Sequence, residues 1–128
     1  MVHFRRRAEA FARAADDLQI LDREAHAPAI GVLSVHGSIA LADAVLAAVA
    51  PVRPKAEDHA DAARRLRAWC SARGFADGGV KHFEWLLRRK NHFSYDADVV
   101  HQEDCWIAKT KMEQFSAWAL QTFPRVSV

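Results

Sequence analysis

A chain of 128 residues that is 51% apolar has the material for one compact domain with a real core, and it carries no internal repeat or low-complexity segment. Eighteen Lys and Arg against sixteen Asp and Glu leave a formal charge of +2, too small for a global field that draws the protein to nucleic acid or membrane, so any polyanion site must be local. Cys70 and Cys105 lack CxxC or zinc-ligand spacing and read as reduced thiols inside a cell, with a disulfide between them left open.

The N-terminal MVHFRRRAEAFARAADD is charged throughout, and no later apolar run approaches the roughly 20 residues of a membrane span, which predicts a cytoplasmic protein with no membrane partner. Phe4, Ala8, Phe11, Ala15, Leu18 and Ala25 recur at spacings of three or four, with one gap filled by Leu21 or Asp22. This predicts a first helix with one apolar face. Arg5, Arg6, Arg7, Arg13, Asp16 and Asp17 then form its wet side.

Pro28 suits the opening of a second helix, where its fixed φ and missing donor cost little. That helix, AIGVLSVHGSIALADAVLAAVA, is apolar or small nearly all round and needs neighbours on several sides; Pro51 and Pro54 end it. Next, EDHADAARRLRAWCSARG sets acids in its first turn, bases toward its end and Gly74 just beyond, the polarity favoured by the helix dipole and a C′ glycine. A flexible FADGG leads to a short fourth helix, VKHFEWLLRRKN, followed by a non-helical FSYDAD. The last helix begins at Gln102, Glu103 and Asp104, carries Cys105, Ala108, Met112, Phe115, Ala119 and Thr122 on one stripe, and ends at Pro124.

Five helices, short connections and no alternating strand pattern predict one all-α domain over residues 1–128, an antiparallel four- to five-helix up-and-down bundle. Trp69, Trp85, Trp106 and Trp118 all sit at helix-packing positions. Trp106 and Trp118 are offset from the last helix's stripe and offer a second apolar edge to a dimer partner.

Chemistry concentrates in LLRRKNHFSYDADV. Arg88, Arg89 and Lys90 complement the carbonyl end of the fourth helix, and Asn91, His92, Tyr95 and Asp96 follow at once, each able to donate or accept hydrogen bonds. Asp43, on the apolar second helix, must find a cation or donors or shift its pKa; Arg88, Arg89 and His59 are the candidates. His36 either bonds within the core or lines a groove toward Arg88. His3, His26, His36, His59, His82, His92 and His101 form no HxxxH, HExxH or Cys/His pair at ligand spacing, so neither a metal nor another cofactor is implied.

The small-residue helix GVLSVHGSIALADAVLAA, the following DHADAARRL, the RRKNHFSYD segment and a closing amphipathic helix after VVHQED together resemble the HEPN superfamily over most of the chain. The resemblance implies a helical bundle that pairs as a homodimer with both basic segments lining one cleft. It also implies action as a metal-independent ribonuclease or as the toxin partner of a nucleotidyltransferase-type antitoxin. Toxin-type members carry arginine, four arbitrary residues, histidine, one residue and tyrosine. Arg88 and Tyr95 take the first and last positions, the histidine position is Phe93, and His92 stands one residue early. On a regular helix that shift turns a side chain by roughly 100°. The family's polar residue on the second helix, set beside the arginine, corresponds to Asp43.

Metal-independent RNA cleavage needs a base for the 2′-OH, an acid for the leaving oxygen and cations for the phosphorane. Arg88 and Arg89 suit the last task through guanidinium forks, His92 acts as acid or base if a helix end re-aims it, and Tyr95 stacks on a base or donates to phosphate. The leading expectation is a non-catalytic HEPN-like bundle of degenerate motif, binding RNA, a nucleotide or a partner protein in a toxin–antitoxin or defence setting. Arg89, Lys90, Asn91, Tyr95, Asp96, Asp43, His36 and His59 would form its binding surface. The alternatives are an endoribonuclease toxin with Arg88 and His92 as catalytic residues, and a pure protein-interaction bundle whose bases diverge away from Asp43.

Overall fold

The computed structural model describes residues 2–49, 58–90, 93 and 102–123, and among these every regular element is a helix. In chain order they are α1 (Val2–Asp22), α2 (Ala27–Val49), α3 (His59–Arg73), α4 (Val80–Arg88) and α5 (Gln102–Thr122). The other four helices all pack against α2. Thirteen of its 23 residues are buried, as a helix without a polar face requires. Gly37 admits two neighbours at once: a Cβ there would sit 3.1 Å from Met112 Sδ of α5 and 3.2 Å from Phe11 Cβ of α1.

The expectation that no apolar run nears membrane-span length is corrected by α2, which is long and apolar enough to cross a membrane, with a mean hydropathy of 1.8 over an 18-residue window. Half of that window is buried by the chain's own helices. Its two buried serines keep their hydroxyls satisfied locally, Ser34 donating to Ile30 O at 2.7 Å and Ser38 to Ser34 O at 2.9 Å.

On α1, Ala8 and Ala15 are buried and Phe11 and Leu18 half-buried, while the side chain of Phe4 lies outside those described. The helix stops before Ala25. The Asp22 carboxylate accepts the Ala25 N–H at 3.1 Å and the Asp22 carbonyl that of His26 at 3.1 Å, so the chain turns over residues 23–26 and leaves Leu21 and Ala25 exposed, off the apolar stripe. Asp16 is more than a wet-side charge, since it reaches Lys109 of α5 at 2.8 Å. Burial pulls the Lys109 pKa down, but hydrogen bonds to Asp16 and Glu113 outweigh it and hold the ammonium charged.

Both ends of α3 agree with the sequence. Asp58, extended at φ −148°, accepts the Asp61 N–H on its side chain at 2.6 Å. Gly74, at φ 73°, donates to Ser71 O at 3.4 Å while Phe75 donates to Cys70 O at 2.9 Å, a Schellman closure that a left-handed glycine permits. The FADGG connection, expected to be flexible, is tied down instead. Arg67 of α3 pairs with Asp77 at 2.9 Å and grips both carboxylate oxygens of Glu84 on α4, and Trp118 Nε1 donates to Ala76 O at 3.0 Å.

On α5, Cys105, Ala108, Met112, Phe115 and Ala119 are buried and Thr122 is half-buried, as the stripe predicts. Cys70 and Cys105 are free thiols in the core, and burial pushes both pKa values up, that of Cys105 to about 11. Trp106 and Trp118, expected to offer a second apolar edge, are half-buried against the chain's own groups. The Arg23 guanidinium stands 4.1 Å from the Trp106 ring, and Trp118 lies over Gly79 and against Phe115 and Phe123. Pro51, Pro54 and Pro124 lie outside the described residues.

A Cβ on Gly79 would overlap Trp118, whereas one on Gly78 meets open space. Gly79 has an ordinary helical backbone at φ −76°, so the penalty for a side chain there is steric alone. Gly79→Ala is expected to lower the unfolding free energy by about 2–3 kcal/mol in urea titrations, with Gly78→Ala close to neutral.

Candidate functional site

The expected fourth helix is cut short. It ends at Arg88, and Arg89 leaves the helical region at φ −108°, ψ 5° while its N–H still reaches Leu86 O at 3.1 Å. A helical turn resumes at once, because the Phe93 N–H donates to Arg89 O at 3.1 Å. Phe93 was expected in a non-helical segment, yet it closes this turn. Its ring is 3% exposed and packs on Gly31 of α2, where a Cβ would come within 2.8 Å of it. Phe93, the residue that the resemblance sets at a histidine position, is thus an apolar side chain seated in the core.

The three consecutive bases consequently part company. Arg88 is exposed, and it forms no ion pair among the described residues. Arg89 is half-buried, with its guanidinium 4.0 Å from the centre of the Trp85 ring. Lys90 is half-buried and acts on α2: burial, then the charge of Lys90, then that of His59 lower the pKa of His36 from its ordinary 6.5. Lys90, just past α4, and His59, at the start of α3, thus lie near enough to His36, in the middle of α2, to act on it electrostatically. Phe11 flanks His36, ring centre to ring centre 6.1 Å.

Asp43 lies two turns along α2 from His36 on the same face and is half-buried. It is not without a partner. Asn91, His92, Tyr95 and Asp96 lie outside the described residues, as do His101 and the rest of the FSYDAD segment.

Lys90 brings a positive charge to this half-buried edge, and a positive potential favours anions over metal ions. Among the described residues no three His, Cys, Asp or Glu side chains come together at metal-binding range. An anion seated there would stabilise protonated His36, so binding would draw in a proton. Sequence reasoning missed a second such pair: His82 of α4 lies 3.5 Å from Lys111 of α5, and burial, Lys111 and Lys81 lower its pKa. Those residues lie 29 positions apart, and only the packing of α4 on α5 joins them.

Compared with the models of known protein families, with curated proteins and with solved structures, the chain matches none.

Folded His36 holds its proton less tightly than the unfolded chain does, so its contribution to stability is present above pH 6.5 and is lost as the pH falls from there through its folded midpoint. In imidazole-detected NMR titrations His36 is expected to titrate below 6.5, and Lys90→Met is expected to move the midpoint upward. A midpoint unmoved by that substitution contradicts the convergence of Lys90 on His36.

Proposed function

We propose that this chain is a HEPN-like helical bundle, antiparallel and up-and-down, that acts in the cytoplasm and binds RNA or a nucleotide through its phosphates without cleaving it. One observation carries the reading. Phe93, at the motif's histidine position, is a buried ring on Gly31, while the Lys90 ammonium stands close enough to His36, on the neighbouring edge of α2, to lower its pKa. A core phenyl ring moves no protons, so the reading retains the family's affinity for phosphate and drops its chemistry.

Arg88 contributes an exposed guanidinium fork at the end of α4, which suits a second phosphate along the strand. Arg89, held at Trp85, is a lesser contributor. A toxin–antitoxin or defence setting, with a nucleotidyltransferase-type antitoxin as partner, belongs to the same reading.

The test is fluorescence anisotropy with a labelled single-stranded RNA of about 12 nucleotides across a salt series. Affinity is expected to fall steeply with salt, log K against log salt having a slope of about −0.7 for each phosphate contacted. The pair Arg88→Ala and Lys90→Ala is expected to weaken binding roughly tenfold or more and to flatten that slope. Total RNA from expressing cells is expected to stay intact. Cleavage by the wild type that is lost in Arg88→Ala or His92→Ala would install an endoribonuclease instead, and absent or salt-insensitive binding would leave a protein-interaction module.

A further inference from the structure

The short helix α4 lies on α5 along a seam that is largely apolar: Phe83 stacks on Phe115 with ring centres 5.0 Å apart, and Gly79 sits under Trp118. Among the described residues the polar contact between the two helices is His82 with Lys111, both half-buried, Nδ1 to Nζ 3.5 Å. An ammonium has three N–H donors and no acceptor, so Lys111 donates and Nδ1 accepts, which places the ring proton on Nε2. The contact is favourable only while the imidazole is neutral.

Two other half-buried or buried cations nearby are matched by carboxylates. Arg67 of α3 holds Asp77 and Glu84, and Lys109 of α5 holds Asp16 and Glu113. Lys111 and His82 form no ion pair among the described residues. Around His82, α5 brings Lys111, α4 itself brings the exposed Lys81 and a Glu84 already engaged, and α3 brings the Arg67 that engages it. The third helix against α4 is α2, whose ionisable groups are His36 and Asp43. Burial, then Lys111, then Lys81 lower the pKa of His82 from its ordinary 6.5. Folded His82 therefore holds its proton less tightly than the unfolded chain does, and its part in seating α4 is present above pH 6.5 and is lost as the pH falls through its folded midpoint.

We propose that His82 and Lys111 form an acid-sensitive latch between α4 and α5: a proton arriving on Nδ1 turns a donor–acceptor pair into two facing cations, and α4 loosens from α5. Because α4 ends at Arg88 and leads directly to Lys90, the latch sets how firmly the basic segment is held to the bundle. The latch rests on the α4–α5 seam and stands whether or not an anion binds at His36.

Amide hydrogen exchange on the full chain, corrected for the pH dependence of the intrinsic rate, is the test. Between about pH 7.5 and about pH 5.5 the amides of α4 are expected to lose about fivefold or more of their protection relative to those of α2, which carries His36 and serves as the reference. His82→Gln, whose side-chain amide stays uncharged, is expected to abolish that relative loss. Lys111→Met is expected to reduce it and, in imidazole-detected NMR titrations, to move the His82 midpoint upward. Circular dichroism at neutral pH is expected to show the same helix content in all three proteins. Protection of α4 that tracks α2 at every pH, a relative loss undiminished in His82→Gln, or a His82 midpoint unmoved by Lys111→Met overturns the proposal.

Discussion

An α-helix without a polar face must be enclosed, and α2 imposes that requirement on the whole chain. Its backbone hydrogen bonds are internal and its side chains are apolar or small, so the free energy of folding is drawn largely from covering it. The other helices meet this demand in different ways. α1 and α5 close in at Gly37, where the absence of a side chain lets both reach the same turn. α3 and α4 cover other parts of α2 and are joined to each other through Arg67, Asp77 and Glu84. Lys109 shows how firmly the outer layers are tied: a lysine buried between α1 and α5 retains its charge because two carboxylates meet it.

The candidate site follows from the same requirement. Phe93 packs onto Gly31 as part of the cover, just beyond the point where α4 ends at Arg88. That break separates three adjacent cations, sending Arg88 to solvent, Arg89 to Trp85 and Lys90 toward His36. The polar residues of α2 that are not fully enclosed, His36 and Asp43, share the face at which this happens. A positive potential at the margin of an apolar helix is thus a by-product of how the helix is covered, and phosphate is the ligand class whose charge and geometry suit it.

Much of this was legible in the sequence, for identifiable reasons. The 3.6-residue period located the buried stripe of α5, and the all-round apolarity of α2 announced its central place. The acids at its start and Gly74 just beyond its end marked α3, and the structure makes Asp58 the N-cap and Gly74 the C-cap. Long-range effects were not legible. The packing of Phe93 on Gly31 joins α2 to a residue 62 positions later, and the tethering of FADGG depends on Arg67 and Trp118 from two other helices. The end of α1 at Asp22 reflects a side chain competing for a backbone donor, which periodicity does not register. At the site, the candidates His36, His59 and Lys90 were in hand from the sequence, but the parting of Lys90 from its two neighbouring arginines was not.

The central claim is that an anion lodges where Lys90, His36 and His59 meet. Imidazole resonances followed by NMR during addition of inorganic phosphate test it most directly, since the ring nitrogens report both contact and protonation. The account predicts that His36 and His59 shift together in a saturable way, that His36 gains proton occupancy as phosphate binds, and that His26 and His82 stay put. Phosphate that moves His82 equally, or leaves His36 and His59 unmoved, would contradict it.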